Sequence, residues 1–246
     1  MAAFWAPNFT RICALALSLL LGATSLAEAR ERQVYSVSIR GIGVGNFQIN
    51  VDETPNSYSA RGVVETGGLV GAFVSFRFDG TATGAILSNG RLQPLSYNAF
   101  RDSGETPRRI TMAYSRGTPT SLTLDPPRRA APHNLDPTKQ GGALDPISAA
   151  WTFLREQPAG STCGKTIRVY DGARLNQFEV QARRQAGELW ACPGRYTRVG
   201  GYPPERLAER KVFNFTIFYR EVDGMMRPAR IEVDTTFGKA VARRTS

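Results

Sequence analysis

The stretch Tyr35-Ser36-Val37-Ser38-Ile39-Arg40-Gly41-Ile42-Gly43-Val44-Gly45-Asn46-Phe47-Gln48-Ile49-Asn50-Val51 decides how the chain is read. Tyr35, Val37 and Ile39 alternate with Ser36, Ser38 and Arg40, and Phe47, Ile49 and Val51 alternate with Gln48 and Asn50. Period two puts successive side chains on opposite faces of a strand, one against a core and one in water. The glycines between the two runs look superficially like a phosphate-binding loop. Such a loop needs a helix N-terminus behind it to hold the phosphate, and a strand pattern follows instead. The glycines therefore read as a tight turn or bulge between strands.

The same alternation recurs on both sides. It returns at Tyr58 to Glu65, after the turn signal Thr54-Pro55-Asn56, then at Val74, Phe76 and Phe78. Leu95, Tyr97 and Ala99 follow, then Ile110, Met112 and Tyr114, then Leu122 and Leu124. After one interruption come Lys165 to Tyr170, Asn176 to Ala182 beyond Asp171-Gly172, Glu188 to Cys192, Phe213 to Tyr219, and Arg227 to Asp234 beyond Asp223-Gly224. Short alternating runs bounded by Gly, Pro, Asn and Asp predict a mostly β protein. The expected architecture is an antiparallel sandwich, barrel or rolled sheet of roughly ten to twelve strands, with one packed α-helix. The competing architecture is an outer-membrane barrel, whose strands run about 9–11 residues with a lipid-facing apolar row. Most runs here are shorter, and many carry arginine.

The interruption, residues 125–144, is rich in Pro, Gly and charge, reads as a long loop, and holds His133, the single histidine. A helix is signposted next. Asp145 is placed to accept hydrogen bonds from free N–H groups of the first turn, and Pro146 suits the first helical position. Ile147, Ala150, Trp151 and Leu154 then share one apolar face. Pro158 and Gly160 end it. Such a helix is expected to plug the barrel mouth or cover a face of the sheet.

Residues 1–29 read as a signal peptide: Arg11, an apolar run from Ile12 to Leu21, and the small-x-small site Ala27-Glu28-Ala29. The run falls short of the roughly 20 residues needed to span a bilayer, which argues against an uncleaved anchor. Cleavage near Ala29 would leave one domain, 30–246, in the periplasm with no membrane span, and would remove Cys13, so no lipid anchor is expected. Cys163 and Cys192 remain. A cysteine pair in an exported chain reads as a disulfide, for which the chain-entropy model gives roughly 3–4 kcal/mol at this spacing. Zinc would require further nitrogen or sulfur ligands at close spacing. A redox site would be expected as Cys-x-x-Cys.

The formal net charge is +10, carried largely by arginine. A basic surface attracts phosphate and carboxylate partners. Outside the cytoplasm these are anionic lipid, lipopolysaccharide or acidic polymer before nucleic acid. The plainer reading is a solvated, arginine-rich surface, and Arg128-Arg129, Arg183-Arg184 and Arg243-Arg244 fit loop, edge or terminal positions. A hydrolase triad usually draws its base from histidine, and His133 sits in the irregular loop. Asn214-Phe215-Thr216 matches a glycosylation acceptor but lies inside a strand pattern. No metal cluster or cofactor motif is visible. Carboxylate-pair hydrolysis of a cell-wall or glycan substrate stays open, because any two acids can converge in a fold.

With these features placed, the chain resembles the bacterial family known as domain of unknown function 3108. The resemblance rests on Tyr35-Ser36-Val37-Ser38-Ile39 with its glycine turn, Thr66-Gly67-Gly68-Leu69, Asp145-Pro146, and Tyr170-Asp171-Gly172, in that order. It implies an envelope protein with a single curled antiparallel sheet, a half-barrel or spiral barrel, and no known catalytic residues. The leading expectation is a non-enzymatic periplasmic protein that binds an apolar ligand, a lipid or a lipoprotein. Phe73, Phe76, Phe78 and Trp151 are the candidates to line the site, and core packing is the competing role for each. The alternative is a basic scaffold for an acidic envelope protein, glycan or lipopolysaccharide.

Overall fold

The computed structural model describes residues 29–67, 76–104 and 106–246. Most of the expected signal peptide, Phe73 and Val74 lie outside the described residues. The elements in chain order are β1 (Ala29–Ile39), β2 (Ile42–Glu53), β3 (Ser57–Thr66), β4 (Arg77–Ile86), β5 (Leu92–Asp102), β6 (Arg108–Ser115) and β7 (Thr118–Asp125). After a 3-10 turn at Pro137–Lys139 come α1 (Pro146–Leu154), β8 (Gln157–Pro158), β9 (Thr166–Tyr170), β10 (Leu175–Val180), β11 (Arg184–Ala186) and β12 (Leu189–Gly200). The chain continues through α2 (Pro204–Glu209), β13 (Val212–Val222), β14 (Met225–Thr235) and β15 (Gly238–Arg244).

All strands belong to one antiparallel sheet, ordered β7-β6-β5-β4-β3-β2-β1-β15-β14-β13-β12-β10-β9, with β11 beside β12 and β8 beside β14. The protein is mostly β, as the alternation predicts. The path holds one strand more than the expected count, namely β15. Its sequence, Gly-Lys-Ala-Val-Ala-Arg-Arg, offers little apolar alternation. It nevertheless joins the halves of the sheet, pairing Ile39 to Ala240 and Tyr35 to Arg244 on one side and Val233 to Ala240 on the other.

Turn chemistry fixes the register. Arg40 and Gly41 both take positive φ, 51° and 82°, between β1 and β2, and Asp223 and Gly224 do so between β13 and β14, at 52° and 74°. Positive φ at both central residues defines the two-residue turn whose twist matches the flanking strands. The glycine run also holds a bulge, because Val37 faces Gly45 while Ser38 faces Gly43. β12 does not stop at Cys192, where the sequence pattern breaks. It runs on through Pro193-Gly194, and a Cβ on Gly194 would stand 2.5 Å from the Phe215 ring. Glycine is what lets that ring lie across the strand.

The sheet curls around α1. The helix contacts β3, β4 and β5 in one half and β9 and β14 in the other. Six of its residues are buried, among them Ser148, Ala149 and Phe153, which lie off the predicted apolar stripe. A helix apolar on one face covers a sheet, whereas one buried nearly all round is a core element. Its backbone ends are satisfied accordingly. At the start, the Asp145 carboxylate accepts from the N–H groups of Ile147 and Ser148, each at 2.9 Å. At the end, Gln33 donates to the Leu154 carbonyl at 2.8 Å, Tyr219 to Phe153 at 2.9 Å, and Gln157 to Thr152 at 3.0 Å. Gln33 is fully buried and carries this cap from β1.

Cys163 and Cys192 are joined, with Cα atoms 5.8 Å apart. Cys192 is buried in a second apolar cluster with Phe153, Val180, Phe215, Ile217, Tyr219 and Met226. The loop before α1 is tied down: Arg128 donates to the carbonyls of Ala173 at 2.9 Å and Gly201 at 3.0 Å. Leu144 then bridges to Val169 at the β9 edge.

Candidate functional site

In an antiparallel meander every second turn lies at the same end of the sheet. The β2–β3, β4–β5 and β6–β7 turns share the end at which α1 terminates. There the sheet does not close, and the gap between the β4–β5 turn and the β8–β9 connection opens a cleft of about 1060 Å³. Arg91 and Arg116 enter it from the β4–β5 and β6–β7 turns, Arg155 from the end of α1, and Lys165 and Arg168 from the start of β9. Its carboxylates are Glu53 and Glu156.

Both carboxylates are already engaged. Trp151 Nε1 donates to Glu53 Oε2 at 2.6 Å, and Arg155 Nη1 stands 3.7 Å from Glu53 Oε1. Arg227 Nε donates to Glu156 Oε2 at 3.0 Å. Arg155 also donates to the Gly90 carbonyl, which fastens the β4–β5 turn to the helix. Lys165 Nζ donates to Gln157 Oε1 at 2.9 Å. Burial, and then the neighbouring Arg155 charge, lower the Lys165 pKa to about 8. Among the described residues, Arg91, Arg116 and Arg168 have no acidic partner within ion-pair distance, and all three are exposed. The site therefore presents a surplus of positive charge around one concavity, with guanidinium forks shaped for carboxylate or phosphate oxygens.

The residues expected to line an apolar site lie elsewhere. Trp151 is 2% exposed and sits in the main core with Tyr35, Ile49 and Tyr97. Phe78 is half-buried against that core. Phe76 is half-buried just before β4, its backbone paired with Thr66. Phe73 lies outside the described residues. None of the three described residues reaches the cleft. The reason is physical: α1 itself fills the concave face that was expected to take an apolar ligand. His133 does not reach the cleft either, and no group of three or more metal-ligating side chains occurs among the described residues. No helix among the described residues is long and apolar enough to cross a membrane.

The cleft residues escape a reading of local motifs because they come from separate turns. Asn89-Gly90-Arg91 and Arg116-Gly117 do carry a signal, since each sets arginine beside a turn glycine. Recognising it requires the meander topology, which brings alternate turns together.

Among solved structures, the chain is similar to a beta-barrel-like protein of domain of unknown function DUF1849 from Brucella abortus, with 11% identity and a TM-score of 0.48. The alignment covers 90% of this chain and 98% of that one. No curated protein matches the sequence. A family model does, over residues 34–244. That span runs from the middle of β1 to the end of β15, and the chain belongs to the family described as Protein of unknown function (DUF3108).

Proposed function

We propose that this protein is an exported, non-enzymatic component of the bacterial envelope that binds an anionic ligand in the basic cleft. The observation that carries the reading is the set Arg91, Arg116 and Arg168, which line one cavity without acidic partners among the described residues. Like charges around a concavity raise the potential there, and an anionic ligand offsets it. The volume, about 1060 Å³, is at the upper end of small-molecule sites. It has room for a phosphate or carboxylate with a body attached, such as a lipid headgroup. The arginine-and-signal-peptide composition of the sequence favours an envelope ligand over nucleic acid. The prior engagement of Glu53 and Glu156 favours binding over carboxylate catalysis.

Calorimetry with dihexanoyl phosphatidic acid, against zwitterionic dihexanoyl phosphatidylcholine, tests this reading. Saturable binding of the acid that weakens with salt, and is lost in an R91Q/R168Q variant, is expected. Equal binding of both lipids would restore the apolar-ligand reading.

A further inference from the structure

The outer face of β13, β14 and β15 carries a second basic feature, which meets the cleft at Glu156. Tyr219, Ile217 and Phe215 are buried, so the alternate residues of β13, Phe218 and Arg220, point outward. Across the strand pair Phe218 faces Arg230, and Arg220 faces Arg227. Arg230 and Arg227 are three apart on β14, and a regular strand would send them to opposite faces. The register shifts between Phe218 and Tyr219. This bulge inserts one residue into β14 and re-aims Arg227 to the face that Arg230 already occupies. On the far side Arg230 faces Arg243 of β15. Two like-charged pairs thus stand directly opposite each other, an arrangement that disfavours the sheet unless something offsets it.

The offset within the protein is partial. Arg227 pairs with Glu156 at 3.0 Å and Arg230 with Glu232 at 3.3 Å, and the Arg230 guanidinium lies 4.0 Å from the Phe218 ring centre. Arg220 and Arg243 have no acidic partner among the described residues, and both are exposed. All four arginines line one shallow groove of about 510 Å³. We infer that this groove binds an extended acidic polysaccharide, whose successive anionic groups meet Arg243 and Arg220.

Spacing argues for a chain over a small ion. Strands lie about 4.8 Å apart, so β13 and β15 are separated by about 10 Å, and the two unpaired arginines are offset further along the strands. One phosphate or sulfate does not reach both. Surface chemistry argues against a bilayer. Among the described residues, the exposed large apolar side chains are Ile42, Leu87, Leu95, Val199, Val212 and Phe237, and none lines the groove. The groove offers charge and reach but nothing to insert. It adjoins the cleft at Glu156, which lines both, but shares none of the cleft's arginines, so either set of arginines can be removed without the other.

The test is calorimetry with a size-defined heparin hexasaccharide at two salt concentrations, with free sulfate as control. The wild type binds the hexasaccharide, weakens as salt rises, and shows no saturable sulfate binding. R220Q/R243Q loses roughly tenfold or more in affinity, from two charge-assisted contacts. The cleft variant R91Q/R168Q, which removes the same charge, keeps wild-type affinity. R220K/R243K keeps the charge and checks that R220Q/R243Q has not simply lost its fold; it binds between the two. Equal affinity in wild type and R220Q/R243Q overturns the inference. So does an equal loss in R91Q/R168Q, or binding to vesicles of phosphatidylglycerol with none to the hexasaccharide.

Discussion

Gly62 on β3 and Gly80 on β4 stand directly opposite each other in the sheet, and the Ile147 side chain of α1 sits over both. A Cβ on Gly62 would lie 2.6 Å from Ile147 Cδ1, and one on Gly80 would lie 3.3 Å from Ile147 Cγ1. The paired glycines make the recess that lets a helix enter the curl of the sheet. Gly62→Ala is expected to destabilise the protein by about 1–3 kcal/mol, as overpacking of a filled core does. The check is urea unfolding, with Ile147→Ala in the same background. The double variant should be more stable than the sum of the single losses, because the smaller side chain clears the clash.

Asp145 is fully buried at the start of α1. Desolvation raises its pKa to about 6 from the ordinary 3.8, against the opposing hydrogen bonds from Ser148 and Ile147. The folded protein therefore holds this proton to higher pH than the unfolded chain does. Its contribution to stability is fully present below about pH 4 and is lost as pH rises through about 6. Asn at this position keeps the helix cap but does not titrate. The stability of the wild type relative to Asp145→Asn should fall between pH 4 and 7, by on the order of 3 kcal/mol. Denaturation series at several pH values measure it. A difference that does not change with pH contradicts the raised pKa.

The Cys163–Cys192 link closes a span of 29 residues and ties the segment after α1 to the first third of β12. Reduction, or Cys192→Ser, should lower stability by roughly 3–4 kcal/mol through the larger freedom of the unfolded chain. A urea midpoint that reduction leaves unchanged would remove this role.

The sheet was legible in the sequence because its signals are local. Alternation in Tyr35–Val51 and the Asp-Gly turns name strands and hairpins without knowledge of the rest. The helix was legible for the same reason, from Asp145-Pro146 and the spacing of Ile147, Ala150, Trp151 and Leu154. The missing strand, β15, was not, because small and charged residues pair through their backbone and leave no hydrophobic period. The burial of Ser148 and Phe153 was not legible either, since it depends on a sheet that wraps the helix from both sides. The cleft is the least local feature. Its cations lie on separate turns and on the start of β9, and only the order of the strands brings them together. The aromatic strand residues Phe76 and Phe78 suggested an apolar site because a sequence shows that a face is apolar without showing what already fills it.

The central claim is that the cleft, and not an apolar face of the sheet, takes the ligand. Titration of ¹⁵N-labelled protein with dihexanoyl phosphatidic acid, followed by ¹H–¹⁵N NMR, tests it most directly. Saturable shifts should appear at the amides of Gly90, Arg91, Gly117, Gly142 and Lys165 through Arg168, and should vanish in R91Q/R168Q. Shifts centred on Phe76 and Phe78, reproduced by dihexanoyl phosphatidylcholine, would contradict the account.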